Sequence, residues 1–360
     1  MHPLDPDAAR LGNQLWWIRA TRFTLLFSLL GLMTVAALFV KLPLLILEPG
    51  PAPDVAKRTT IAAETFPSEG SIHLTTAQVR APEGATGVEV VKAMFNPDKV
   101  VFAREAIYPS DASHAHTESI QAAQMTQSEL EAAVAALSEL GMAYRAEGVF
   151  VSEIAESSPA ARRLVAGDVI TAVNGEPVSL VEDLTEELDK LSPGESVRLE
   201  VLRGPDRQTF SVKTGKPFSG PKGSALGAEL VQYRKAPIDV SILSRDIGGP
   251  SAGLIYALSI YDRLVPEDIT GGRTVAGTGT IENTDQVVGA VGAVGSVELK
   301  VKGADRIGAE VFLVPKAEVE QARKAAGGGM QVIGVSSLKE AIAELKNLPP
   351  TKMAQKKKGA

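Results

Sequence analysis

The sequence predicts an α+β chain of several domains: a membrane-length N-terminal helix, a β-rich middle domain and an α/β C-terminal domain. Three observations carry this. Residues 23–40 contain no charge. Between residues 148 and 216 short β-branched runs alternate with turn signals such as Asn174-Gly175. From residue 238 to about 348, strand-like and helix-like runs alternate. At 360 residues and 44% hydrophobic content the chain can bury two or three cores.

Composition excludes several function classes. The formal net charge is −6, and the one dense basic cluster is Lys356-Lys357-Lys358, a solvated tail, so no nucleic-acid partner is expected. There is no cysteine, which removes disulfides, thiolate metal sites and cysteine nucleophiles. The histidines are His2, His73, His114 and His116, all in the first third of the chain.

Residues 1–22 are expected on the cytoplasmic side and residues 23–47 across the membrane. The uncharged run resumes after Lys41 as Leu42-Pro43-Leu44-Leu45-Ile46-Leu47. Trp16 and Trp17 suit the interface, and Arg10, Arg19 and Arg22 favour a cytoplasmic N-terminus. A cleaved signal peptide is the alternative, although the leading segment is long for one and no Ala-x-Ala site closes the run. Glu48-Pro49-Gly50-Pro51-Ala52-Pro53 reads as a stiff exit from the membrane. Residues 48–140 are then an extracytoplasmic linker and α/β segment. It holds a strand-like Ser71-Ile72-His73-Leu74-Thr75-Thr76 and a helix over 117–140, with Leu130, Val134, Leu137 and Leu140 at helical spacing and Gly141 as C-cap.

In residues 141–217 the series Gly148-Val149-Phe150-Val151, Ser158-Pro159-Ala160, Gly167-Asp168-Val169-Ile170 and Val173-Asn174-Gly175 resembles a PDZ domain. A helix at 181–191 and a strand at 197–202 fit the same pattern. The resemblance implies capture of an extended peptide by strand addition, with a loop near Gly148 receiving a C-terminal carboxylate, or a domain that gates its neighbour. A Gly, Pro and Ser-rich linker (217–224) precedes a last domain at 225–348, and residues 349–360 form a disordered basic tail.

The chemistry concentrates in Asp246-Ile247-Gly248-Gly249-Pro250-Ser251-Ala252-Gly253. A strand-like run (238–243) precedes it and a helix-spaced run (254–264) follows. Ser251 therefore stands where a glycine-rich turn opens a helix, with backbone N–H groups and the positive dipole end suited to an oxyanion. The bland alternative is a serine that caps the helix. The sequence also fits the Gly-x-Ser-x-Gly nucleophile elbow, but that fold needs a histidine after the serine and none follows His116. A lysine with a depressed pKa can serve instead. In the helix around 295–304, Val297, Val301, Ala304 and Ile307 share one face with Lys300 at its edge. Lys302 lies opposite, placed to pair with Glu298. Lys300 is the candidate base.

These segments are similar to the proteolytic domain of the Lon family over residues 237–315. Gly249-Pro250-Ser251-Ala252-Gly253 matches its nucleophile motif. Val291-Gly292-Ala293-Val294-Gly295-Ser296-Val297-Glu298-Leu299-Lys300 matches the segment ending in its catalytic lysine. Ala276-Gly277-Thr278-Gly279-Thr280-Ile281 matches the strand whose threonine contacts that lysine. The order of membrane segment, PDZ domain and this domain resembles the PDZ-containing Lon-like proteases of bacteria. The resemblance implies a catalytic Ser251–Lys300 dyad, 49 residues apart, with Thr278, Gly249, Pro250 and Ala252 in support. It also implies polypeptide substrates and a hexameric ring. Two departures stand out: Gly248 where the classical family has an acid, the nearest being Asp246, and Ser296 where a second glycine is usual. No phosphate-binding loop is present, so the expected enzyme is ATP-independent, acts on unfolded or extended chains and uses no cofactor or metal. His114-Ala115-His116 reads as a polar loop rather than a metal site. A non-catalytic, membrane-anchored PDZ scaffold or chaperone is the rival reading, and cleavage of the chain's own linker at 217–224 is a third.

Overall fold

The computed structural model describes residues 6–80, 82–106, 114–216, 225–244 and 249–349. The linker at 217–224, Asp246 with Gly248, and the basic tail lie outside the described residues. The chain divides into two units, Met1–Glu48 with Val79–Pro109, and Pro49–Gln78 with Ser110–Ala360.

In the first unit helix α1 runs Pro6–Phe39, and its apolar stretch Thr21–Phe39 is 19 residues long with none of it buried. At 1.5 Å per residue that is about 28 Å, close to the ~30 Å hydrocarbon thickness. The expected membrane segment 23–47 needs correction at its end. Beyond Phe39 the chain turns to β structure: Lys41–Leu42 pairs with Ala85–Thr86, and Leu44–Pro49 pairs with Val100–Ala103. Pro43 supplies no N–H to a helix, and a four-residue apolar run suits a strand as well as a helix end. Leu45, Ile46 and Leu47 are accordingly buried in protein. Helix α2, Gly87–Met94, starts at a Thr86/Glu89 capping box, and its Val90 and Ala93 close a small core with Ile46, Ala85 and Val101.

In the second unit the long helix expected over 117–140 is α3, His114–Glu139. It ends at Gly141 (φ +76°), where Gly141 N–H bonds Ser138 O and Met142 N–H bonds Leu137 O. His114-Ala115-His116 is thus the first turn of a helix and not a loop.

An antiparallel sheet follows, in the order Asp206–Lys213, Ser196–Arg203, Val169–Val173, Arg145–Ile154, Ala228–Lys235. Helix α4, Val181–Asp189, packs Leu184 and Leu188 over Val149, Val151, Ile170 and Val201. Asn174 (φ 52°) and Gly175 (φ 95°) form the tight turn read from their sequence. Two expectations change. The strand that carries Gly148 starts earlier, at Arg145, so no loop directly precedes Gly148; its N–H bonds Ser179 O and its carbonyl accepts from Gln232 Nε2. The expected boundary at 217–225 cuts this sheet, because Ala228–Lys235 pairs with Arg145–Ile154.

The last layer is a parallel sheet in the order Gln331–Val335, Val311–Pro315, Thr274–Gly277, Ser71–Leu74. Its helices are α5 (Gly253–Leu264), α6 (Val297–Arg306), α7 (Val319–Ala325) and α8 (Leu338–Asn347). Residues 48–140 are therefore no separate linker domain. Ser71–Leu74 is a strand of this sheet, Thr59–Ile61 pairs with Val240–Ile242, and α3 packs Met125, Ala132 and Ala136 against Leu254, Ile255 and Leu258 of α5. The strand expected over 238–243 is confined to Val240–Ile242. The whole is a mixed α/β, multi-domain chain.

Candidate active site

The turn before α5 is built by Gly249 at φ +88°, a conformation costly for any residue with a Cβ. Pro250 follows, then Ser251, half-buried, and Ala252, fully buried, before the helix starts at Gly253. Two neighbours fix this turn. The chain at 278–279 runs alongside: Thr278 Oγ1 and Gly279 N–H both donate to Ser251 O, at 3.0 and 2.9 Å, and Leu254 N–H donates to Gly279 O. From the other side Ser128 Oγ of α3 donates to Pro250 O at 3.0 Å.

Helix α6 brings in the lysine. Val297, Val301 and Ala304 are buried in a core with Ala276, Phe312 and Val314, as the sequence periodicity implies. Ile307 departs from that face: it is the C-cap, 36% exposed, because the helix ends at Arg306 and Gly308 turns the chain at φ +70°. Lys300 is only 5% exposed, and its Nζ lies 2.9 Å from Ser251 Oγ and 3.1 Å from Thr278 Oγ1. Burial disfavours the charged amine and pushes its pKa from 10.5 down to about 8, while the Glu318 carboxylate pulls the other way. The Thr278 hydroxyl thus donates to the serine carbonyl while accepting from Lys300. Lys302 is half-buried, and Glu298 Oε1 accepts from Gln321 Nε2.

Ser296, where the resembled family has glycine, holds φ 57°, ψ 40° and makes no capping hydrogen bond. The preference for glycine there has a direct cause: the residue before α6 must be left-handed.

The six residues singled out from sequence come together on this turn, strand and helix. Sequence reasoning missed Ser128 and Glu318. Ser128 is a small polar residue on the apolar side of α3, and Glu318 accepts from Val294 N–H at 2.9 Å on the segment leading to the lysine helix. Neither carries a local sequence signal. Both His73 ring nitrogens are engaged, with Ala52 O and Ser71 Oγ. His116 Nδ1 lies 3.9 Å from Glu156 Oε1. Among the described residues no group of three or more His, Cys, Asp or Glu side chains could hold a metal ion.

Residues 123–214 match the PDZ domain family model, so the chain contains a PDZ domain. Among characterised proteins it is similar to "Probable periplasmic serine endoprotease DegP-like" of Pseudomonas putida (strain GB-1), 36% identical over 83 residues, or 23% of this chain and 17% of that protein. It is also similar to the magnetosome formation protease MamE of Magnetospirillum gryphiswaldense, 38% identical over 92 residues, or 25% of this chain and 11% of that one. The chain thus spans less than a fifth of either relative's length. A solved structure, the PDZ domain of the SdrC-like protein of Listeria monocytogenes, aligns at 24% identity and TM-score 0.22, covering 24% of this chain and 88% of that one.

Proposed function

We propose that this protein is a membrane-anchored, ATP-independent serine endopeptidase of Lon-like type, in which Ser251 is the nucleophile and Lys300 the general base. One observation carries the reading: a buried lysine amine, its pKa lowered to about 8, lies 2.9 Å from the hydroxyl of a serine at a helix-opening turn. Burial makes a neutral amine accessible near physiological pH, which a surface lysine cannot offer. Neutral Lys300 takes the Ser251 proton as Oγ attacks a peptide carbonyl. Lysine then protonates the leaving amine, and water repeats the cycle to release the acyl group. Backbone N–H groups at Ser251 and Ala252 are the candidates to hold the oxyanion, since the first N–H groups of a helix lack an i−4 carbonyl; Pro250 has none to give. Thr278 orients the amine.

The name of the Pseudomonas relative supports a serine peptidase acting outside the cytoplasm, and that of the Magnetospirillum relative supports a protease; in this reading α1 is a single-pass anchor. The substrates are unfolded or extended polypeptides. Among the described residues the strand Ala228–Lys235 pairs on one side only, with Arg145–Ile154, which leaves an edge beside α4 for strand addition. That edge also favours the second reading, a PDZ scaffold without catalysis. A hexameric ring of the peptidase domains is part of the proposal.

The test uses the full chain in detergent, because removing the first 53 residues would take away the strand Leu44–Pro49. An unfolded protein is supplied without nucleotide. Release of peptides by wild type, lost in both Ser251→Ala and Lys300→Ala, is the expected outcome. No release by any form, with peptide binding intact, establishes the scaffold instead.

A further inference from the structure

We propose that the outward face of α2 seats in the lipid headgroup layer beside the membrane span, fixing the first unit against the bilayer as a second contact. This rests on reading Thr21–Phe39 as a span. Helix α2 is apolar on two sides. Its inner side, Val90 and Ala93, belongs to the core with Ile46 and Ala85. Its outer side carries Val91, Met94 and Phe95, spaced i, i+3, i+4 on one face and 54%, 75% and 86% exposed. A helix on a water-soluble domain needs one apolar stripe, so the second calls for a cover.

The cover is identified by where α2 begins. Gly87, its first residue, lies so close to α1 that an added Cβ would stand 3.3 Å from Ala37 Cα. Ala37 is two residues short of the end of the apolar stretch at Phe39. The strand directly after the span, Lys41–Leu42, is held to Ala85–Thr86, so α2 is tied to the span at both points. From Gly87 to Phe95 a helix rises at most about 12 Å, and the interfacial zone extends roughly 5–8 Å outside the hydrocarbon core. Aromatic and methionine side chains projecting at that level meet acyl chains and headgroups before they meet bulk water. Lys92, on the same helix and exposed, has a stem long enough to keep its ammonium among phosphates while the neighbouring apolar groups go deeper.

The absence of native cysteine makes a site-specific test direct. A polarity-sensitive dye is attached to Met94→Cys in the full chain, which leaves Val91 and Phe95 in place. The protein is reconstituted in phosphatidylcholine–phosphatidylglycerol vesicles. Leu30→Cys, within the span, and Asp206→Cys, on the exposed PDZ hairpin, serve as references. The dye at 94 should emit blue-shifted light and be quenched by lipids carrying a nitroxide near the headgroup, several-fold more than the dye at 206. Adding Phe95→Asp should reduce that quenching. The proposal is overturned if the dye at 94 responds to aqueous iodide as the one at 206 does, while the dye at 30 is reached by lipid nitroxides. It is equally overturned if the dye at 94 is shielded from both quenchers, which would place a second copy or another protein on this face. A dye at 30 that lipid nitroxides fail to reach refutes the anchor reading itself, and this inference with it.

Discussion

Ser128 donates its hydroxyl to the carbonyl of Pro250, tying helix α3 to the turn that carries Ser251. The serine is 4% exposed, so water cannot replace it without reorganising the turn. Ser128→Ala should cost about 1 kcal/mol of positioning, roughly a fivefold fall in kcat/KM, with little change in the thermal transition. Peptide-release kinetics beside calorimetry check this. A large drop in melting temperature would make Ser128 a packing residue and nothing more.

The Lys300 amine sets a pH dependence whose direction is fixed by burial. In the proposed mechanism Lys300 acts in its neutral form, so kcat/KM should rise as pH increases through about 8. The Glu318 carboxylate favours the charged amine, so Glu318→Gln should shift the midpoint to lower pH. Stability follows the same proton. The folded lysine deprotonates near 8 and the unfolded one near 10.5, so between those values the unfolded state binds more protons and stability rises with pH. Lys300→Met should therefore raise the thermal midpoint more at pH 7 than at pH 10. An unchanged difference between the two would mean that the amine is solvated.

Ser296 occupies the left-handed region without using its side chain as a cap. Relief of about 1–2 kcal/mol of backbone strain, less the extra freedom glycine gives the unfolded chain, leaves Ser296→Gly more stable by about 1 kcal/mol or less. Thermal unfolding of the two forms measures it. A destabilised variant would show that the serine hydroxyl has a partner in solution.

Chemistry was more legible than architecture, and for a physical reason. Glycines placed Ser251 at a helix-opening turn and helical spacing put Lys300 at the edge of a buried face, while Thr278 and the approach of amine to hydroxyl were implied by the family resemblance. The strand Ser71–Leu74 could not be assigned to its sheet, because its partner Thr274–Gly277 lies 203 residues away and parallel pairing leaves no turn signal. The same holds for Ala228–Lys235: its alternation marks a strand but not which domain claims it, and the Gly-rich segment before it mimics a domain boundary. The end of α1 was misplaced because Leu44-Leu45-Ile46-Leu47 is apolar whether it crosses a bilayer or fills a core.

Arg234 offers the last test, because it joins the PDZ sheet to the domain that carries Ser251 and Lys300. It is 7% exposed, on the strand Ala228–Lys235. It donates to Asp285 at 3.0 Å and lies 3.9 Å from the Glu131 carboxylate. Glu131 also receives Asn283 Nδ2 on its backbone carbonyl at 2.8 Å, and Asn283 lies just past the strand Thr280–Glu282 that continues from Thr278. Burial raises the Glu131 pKa to about 7, against the pull of Asn283 and of the Arg234 charge. Removing the guanidinium leaves the burial unopposed on that side, so in Arg234→Met the Glu131 pKa should rise beyond its present value. A carboxyl whose folded pKa exceeds its unfolded value stabilises the fold at low pH and loses that contribution as pH climbs through the folded pKa. In the wild type the loss is complete just above pH 7, and in the variant it should continue to higher pH. Thermal midpoints of the two forms should therefore diverge between pH 7 and 9 and converge below pH 5. A divergence of equal size at every pH would assign Arg234 a packing role independent of the Glu131 charge.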